Sequence, residues 1–430
     1  MEVEINAVPK KGRSLFKPAI NLSDDQVKAI LIEKIQRENN QIPYDKADEL
    51  MLENLKYNKE KINVVGLFSG CGGLDLGFEL AGLISEIGED NALKAFKNKE
   101  AYNNERSKSI FHTVYTNDLF KEANESYAQN FPNHVIQHQK DIRKVSHFPI
   151  CNLMLGGFPC PGFSEAGPRL IDDERNFLYI HFIRALLQTQ PEFFVAENVK
   201  GMMTLGKGEV LRQIVEDFSS AGYTVTPYLV NAKDYGVPQS RDRVFLIGVH
   251  KEKIEEKYDY KYELPSPTHG VAPKLIPYVT LRDAIKDLKE NPGPFHIGDF
   301  SPMYLSRNRK KTWDDVSFTI QASGRQAPLH PGGMPMEKVS ADKWNLIGEN
   351  RRLSVKEVSR IQTFPDWFEF SSGKNQNISG NGLVDKQYKQ IGNAVPVMLA
   401  KSIAMPIAQF LSKLKKDENL ESSALQLKMF

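Results

Sequence analysis

The sequence predicts an α/β fold: a doubly wound, largely parallel sheet joined to a second, smaller and irregular domain. Two observations carry this. Between Ile62 and His250, short apolar runs of strand length alternate with segments of helical periodicity, the rhythm of successive strand–helix–strand units. After His250 the rhythm stops, and Pro265, Pro267, Pro273, Pro277, Pro292 and Pro294 punctuate a stretch without it.

In order along the chain, residues 1–60 are a polar extension. Ser23 is placed to cap a helix reaching about Asn39, with Asp24 and Asp25 in its first turn, and no chemistry is assigned to it. The main domain, 61–265, then opens with INVVGLF (62–68) and a helix, TVYTND (113–118) and a helix to Asn130, HVIQHQKDI (134–142), and NLMLGGFP (152–159). It continues with a helix near 176–188, FFVAENV (193–199), a helix near 208–220, TVTPYLVNA (224–232) and RVFLIGVH (243–250). Residues 84–112, rich in Lys, Asn and Glu, read as an insertion on the surface. The smaller domain spans 266–372. Residues 373–415 return to the main domain, with a small-residue turn at Gly392-Asn393-Ala394 in a strongly helical 388–414 segment, and 416–430 form a polar tail.

A chain of 430 residues can bury two cores. With no run of about 18 apolar residues, no membrane span is predicted. The N-terminus lacks the apolar core of a signal peptide, which places the protein in the cytoplasm. Three cysteines, Cys71, Cys151 and Cys160, without paired CxxC spacing argue against a disulfide framework or a structural metal site. The net charge of +2 says little about partners, but residues 301–360 carry 11 Lys/Arg against six acids. That excess is either a solvated face or a phosphate-contacting surface.

Four motifs could carry chemistry. In VVGLFSGCGGLDLGFELAG (64–82) a strand runs through Gly70, Gly72 and Gly73 into a helix, a loop that brings backbone close to a ligand. It is neither the dinucleotide fingerprint nor a phosphate loop, since no Lys follows. An adenosyl ligand bearing a carboxylate fits better, with Asp118 and Asp141 placed for a ribose hydroxyl and an adenine amine; each is equally an ordinary helix-start Asp. In LMLGGFPCPGFSEAG (153–167), Cys160 stands between prolines at the end of a central strand. A nucleophile is favoured there over a small buried hydrophobe, although no histidine pairs with it. Glu197, ending FFVAEN, is an acid on an apolar rim, where a raised pKa would suit a general acid; a capping or salt-bridging acid would look the same. Arg241 and Arg243, in QSRDR (239–243), alternate on a strand and share a face, suited to an acidic partner or to an edge salt bridge.

Together these residues closely resemble the bacterial DNA (cytosine-5) methyltransferases of type II restriction-modification systems. The resemblance covers FSGCGG, the Pro-Cys loop, ENV at 197–199, QSRDR, RRLSVKEVSRIQTFPDWFEF (351–370) and IGNAVPV (391–397), in the family's order. It implies a Rossmann-like methyltransferase sheet with a target-recognition domain, acting on double-stranded DNA as a monomer, with a companion restriction endonuclease as a functional partner. It implies that Phe68, Ser69, Gly70, Gly72, Gly73, Asp118, Leu119, Asp141, Ile142, Pro159, Leu178, Asn393 and Ala394 surround S-adenosylmethionine. Cys160, Glu197, Arg241 and Arg243 would be catalytic: Cys160 adds to cytosine, Glu197 protonates ring N3 and Arg241 holds the carbonyl oxygen. The base is flipped out of the duplex, and the 161–167 loop closes, with Ser164 on a phosphate. Residues 304–331 are similar to recognition regions of members acting on GGCC. Arg325 and Gln326 would read bases, while Gln239, Arg307, Arg309 and Lys310 would also contact DNA.

Three positions depart from the family: Pro161 replaces the usual Gln, Arg175-Asn176 replaces Arg-Gly, and 84–112 lengthens a short connection. An RNA cytosine methyltransferase is a same-fold alternative, disfavoured by the long basic recognition segment. A silent DNA-binding regulator is disfavoured by retention of Cys160, Glu197 and Arg241. A nicotinamide dehydrogenase is disfavoured by the glycine spacing.

Overall fold

Seven strands form one sheet in the spatial order β3-β2-β1-β4-β5-β7-β6. They are β1 (Ile62–Leu67), β2 (Phe111–Asn117), β3 (Ile136–His138), β4 (Leu153–Gly156), β5 (Phe193–Val199), β6 (Tyr223–Asn231) and β7 (Asp242–His250). Strands β1 to β5 pair in parallel, while β7 runs antiparallel between β5 and β6. The computed structural model describes residues 40–159, 178–204, 208–373 and 380–427, with a few positions between 29 and 37. The predicted N-cap Ser23 with Asp24 and Asp25 lies outside the described residues.

The doubly wound sheet matches the prediction, and its winding direction reverses between β1 and β4. That switch point opens a crevice beyond the carboxyl ends of both strands. β3 is much shorter than HVIQHQKDI suggested. Asn117 Nδ2 donates to the carbonyls of His138 and Lys140, both at 2.9 Å, so those oxygens turn to a side chain and the ladder stops.

Helices cover both faces, which is why β1 and β5 read as apolar runs rather than alternating ones. On one face lie α6 (Tyr179–Thr189) and α7 (Glu209–Ser220), through Phe182, Ile183, Leu186, Ile214 and Phe218. On the other lie α2 (Gly73–Ile87) and α11 (Val397–Leu427), through Phe78, Ala81, Leu399, Ile403 and Ile407. These two helices touch closely: a Cβ on Gly77 would stand 2.3 Å from Ala400 Cβ. The stretch Gly380–Asp417 is long and apolar enough to span a bilayer but is mostly buried, as a core element is. The helices α1 (Lys46–Glu53), α3 (Glu89–Phe96), α4 (Lys99–Glu105) and α5 (Lys121–Asn130) also precede α6 among the described residues.

The 84–112 stretch is more than a surface excursion. It begins inside α2 and continues as α3 and α4, whose Phe96 and Tyr102 are buried. Tyr102 stacks on Trp367 at 5.6 Å, and Trp367 Nε1 donates to the Phe96 carbonyl at 2.8 Å. Apolar burial beneath polar Lys, Asn and Glu positions made the stretch look fully exposed in sequence.

The smaller region has its own cores: Leu281, Ile285, Ile320, Leu353, Val358 and Ile361 in one, Tyr304, Leu329 and Met336 in another. It contains α8 (Leu281–Ile285), α9 (Val355–Ile361) and an exposed hairpin of β8 (Glu337–Ser340) and β9 (Lys343–Asn345). Ser354 and Glu357 form a reciprocal capping box at the start of α9. Val384, Tyr388 and Ile391 of α10 (Gly380–Asn393) join the first of these cores, tying the chain's return to the smaller region.

Candidate active site

The parallel strands end along one edge, so the loops after β1, β2, β3 and β4 converge there. After β1, Phe68 holds φ 54, a left-handed backbone unusual for a non-glycine residue. Gly70 follows at φ 55 and Gly72 at φ 90, and α2 begins at Gly73. The sequence credited all three glycines with ligand approach, and the structure divides them. A Cβ on Gly72 would meet the Phe131 ring at 2.5 Å, and one on Gly73 the Val395 carbonyl at 2.6 Å. A Cβ on Gly70 would meet nothing within 4 Å. Gly70 faces open space, whereas its neighbours make room for the protein itself.

The other predicted cofactor residues lie on the loops at this edge and at the start of α6. Asp118 accepts from Gly70 N–H and Phe120 N–H, both at 2.8 Å, while burial raises its carboxyl above the usual range. Asp141 caps the turn at Ile142–Lys144 and pairs with Arg143 at 2.6 Å, which lowers its carboxyl. Ser69 N–H donates to the Asn117 carbonyl at 3.1 Å. Leu119, Pro159 and Asn393 are exposed, and Leu178 is half-buried at the start of α6. Ala394 Cβ stands 3.1 Å from the Cβ that Gly73 lacks, which brings the 393–395 turn against the glycine loop. Carboxylates for hydroxyls and an amine, an open backbone and an exposed apolar side chain suit an adenosyl amino acid.

The catalytic candidates lie on β5 and β7. Arg243 Nε is 2.7 Å from Glu197 Oε1, and both side chains are nearly buried. Glu197 Oε2 is 3.3 Å from the Cβ position of Gly157, so the pair lies over the backbone leading out of β4. Asn198 Nδ2 reaches the Phe158 carbonyl at 3.2 Å and ties the two strand ends together. Cys160 and Ser164, with Pro161 and Arg175-Asn176, lie outside the described residues. Cys71 and Cys151 are buried; burial pushes the Cys71 thiol up to about 12 and raises Cys151 further, so neither supplies a thiolate at neutral pH.

Arg241 lies near Arg243 and Glu197 but, unlike Arg243, makes no ion pair with that carboxylate. It is 1% exposed, and its guanidinium donates to the carbonyls of Ile320 at 2.9 Å, Gly392 at 2.7 Å and Ala394 at 3.2 Å. It precedes β7, where strand alternation no longer applies. Of the two arginines, Arg243 is the one that pairs with the Glu197 carboxylate. Gln239, expected at the DNA, is fully buried here: it donates to Gln362 Oε1 at 2.9 Å and accepts from Ile320 N–H at 2.8 Å.

In the smaller region the predicted phosphate contacts also separate. Arg309 is buried, donating to the Tyr304 carbonyl at 3.1 Å and Gln326 Oε1 at 3.0 Å. Lys310 Nζ donates to the His330 carbonyl at 2.8 Å, Gly332 carbonyl at 2.6 Å and Asn350 Oδ1 at 2.7 Å. Lys310 thus directs its ammonium at three internal acceptors, and Arg309 turns two guanidinium donors inward. Arg307 and Arg325 are exposed, and Gln326 is half-buried.

Sequence reasoning passed over Arg184 and Gln362. Arg184 donates to the carbonyls of Val145 at 2.6 Å and Ile142 at 2.7 Å from inside α6. Its signal was a lone cation in the apolar run YIHFIRALL. Gln362 donates to the Ile391 carbonyl at 2.6 Å, and no local pattern marks it.

Residues 62–409 match the model of the family described as C-5 cytosine-specific DNA methylase. The chain is 64% identical over 403 residues to the type II methyltransferase M.BsuRI of Bacillus subtilis, covering 93% of this chain and 91% of the relative. It is 58% identical to the type II methyltransferase M.BspRI of Lysinibacillus sphaericus, with both chains covered completely. Among solved structures, the Entamoeba histolytica methyltransferase EhMeth superposes with a TM-score of 0.53 at 18% identity, covering 83% of this chain and 99% of that one, a likeness of fold.

Proposed function

Because the chain belongs to the C-5 cytosine-specific DNA methylase family, we propose that Cys160 forms a covalent adduct with a cytosine flipped out of duplex DNA while carbon 5 is methylated. The family's reaction, methylation of DNA cytosine at carbon 5 from S-adenosylmethionine, is this enzyme's reaction; the residue roles are our reading. The observation that supports them is the Glu197–Arg243 pair lying over the strand end that leads into Cys160.

Carbon 5 of cytosine is a weak nucleophile. Addition of the Cys160 thiolate to carbon 6 forms the S–C6 bond and breaks the ring's conjugation, moving electron density to carbon 5. Glu197 donates a proton to ring N3 as negative charge develops there. Arg243 orients that carboxyl and holds the base's carbonyl oxygen. The bound cofactor supplies an electrophilic methyl on its sulfonium, held by Phe68, Ser69, Gly70, Asp118, Leu119, Asp141, Ile142, Pro159, Leu178, Asn393 and Ala394. Loss of the carbon 5 proton to a base, return of the N3 proton to Glu197 and expulsion of the Cys160 sulfur together restore the aromatic ring and the enzyme.

The target is a GGCC-like site, with exposed Arg325 on guanine and Gln326 beside it. Ser164 and Arg307 touch phosphates, and the modification protects host DNA in the cytoplasm from a companion endonuclease. Duplex DNA containing 5-fluorocytosine in the site tests the chemistry, because fluorine cannot leave as the proton does. With cofactor, a denaturation-resistant complex should form through Cys160 and be absent in Cys160→Ala; a wild-type enzyme that methylates cytosine yet traps nothing would refute the adduct. Bisulfite sequencing of modified plasmid reads out the target.

A further inference from the structure

The family match begins at residue 62, yet a carboxylate ahead of it is built into the cofactor edge. Asp48, in α1, is 2% exposed. Its Oδ1 accepts from Lys140 Nζ at 2.7 Å and lies 3.2 Å from His138 Nε2. Its Oδ2 accepts from Ser146 N–H at 3.1 Å and Ser146 Oγ at 3.2 Å. One buried side chain therefore grips the 138–146 segment at both ends, and Asp141 and Ile142 lie between the grips. Asp45 adds a second bond to Lys140 at 2.6 Å. Arg184, from α6, also holds the carbonyls of Ile142 and Val145.

We propose that Asp48 is a positioning residue for the adenosyl group: the N-terminal extension sets the geometry of the Asp141–Ile142 loop through it, and so tunes cofactor affinity. A buried acid fastening two ends of one short loop limits where Asp141 can place its carboxylate, and a loop free to drift spends binding energy on ordering itself. The inference rests on the assignment of Asp141 and Ile142 to the cofactor.

The test uses the full chain with S-adenosylmethionine and S-adenosylhomocysteine as probes. Asp48→Ala should raise Kd and KM for cofactor by about tenfold, while kcat at saturating cofactor and KM for DNA hold. Asp48→Asn, which keeps an acceptor for Ser146, should fall between. Leu55→Ala, an apolar deletion just beyond α1, should lower Tm without weakening cofactor binding. Unchanged cofactor Kd in Asp48→Ala, with Asp141→Ala weakened, overturns the proposal. So does a loss of affinity in Leu55→Ala that matches its loss of Tm. Undiminished affinity in Asp141→Ala would instead overturn the cofactor-site assignment, and the proposal with it.

Discussion

Exchanging Arg243 for Gln isolates what the buried ion pair contributes to methyl transfer. The 2.7 Å contact joins side chains that are 13% and 11% exposed. At an effective dielectric of ~20 the attraction across such a distance is ~6 kcal/mol, much of it offset by desolvation. Removing one partner leaves a charge buried without its counterion, at a cost of ~3–5 kcal/mol. If the pair orients Glu197 towards the base, the loss appears in the chemical step, and ~3–4 kcal/mol is a decrease of ~10²–10³-fold. Single-turnover transfer of labelled methyl groups into duplex DNA measures it for Arg243→Gln, Glu197→Gln and the double variant. The two side chains act as one unit, so the double variant should be no slower than the worse single one, with a coupling of at least ~2 kcal/mol. Losses that multiply, or a fast Arg243→Gln enzyme, would refute the reasoning.

Four further variants have defined expected outcomes. Arg241→Met removes three bonds to carbonyls that join residue 320 to the 392–394 turn; it should lower stability by ~3 kcal/mol, and a variant that keeps its Tm while losing only kcat would return Arg241 to the chemistry. Burial pushes the Asp75 carboxyl from 3.8 up to about 7. The folded state then binds a proton that the unfolded state has lost, so this stabilisation is complete below pH 3.8 and lost as pH rises through about 7. At ~1.4 kcal/mol per pH unit the gap is worth ~4 kcal/mol, so Asp75→Asn should flatten denaturation profiles between pH 4 and 8 and raise stability at the upper end; an unaltered slope contradicts it. Finally, Arg325→Ala should weaken binding to the cognate site by ~1–3 kcal/mol while sparing non-specific DNA, whereas Lys310→Ala should lower Tm and leave the salt dependence of binding unchanged. A change in that logarithmic slope of about one on removing Lys310 would make it a phosphate contact after all.

Strand identities and the glycine loop were legible because they are local. A strand buried on both faces must be apolar throughout, as INVVGL and FFVAENV are, and a left-handed turn such as that at Gly72 narrows the choice of residue to one or two types. The motifs around Cys160, Glu197 and Arg243 also stood out, since few residue types suit that chemistry. Partnership was less legible. Arg241 and Arg243 are two residues apart and look equivalent in sequence, yet one is capped by carbonyls from residues 320 to 394 and the other meets Glu197. Arg309 and Lys310 carry charge that reads as a DNA surface, and each turns inward to carbonyls of its own region.

Composition and periodicity along the chain thus specified the α/β class and the succession of its strands, and local motifs marked the candidate site residues, because each depends on neighbours a few residues away. Which cation faces the substrate edge, which glycine opens to a ligand, and that Asp48 reaches the 138–146 loop were decided only when distant segments packed together. A charged or polar group takes whichever counterpart folding brings within about 3 Å, and that counterpart can lie a hundred residues or more away, where no local pattern records it.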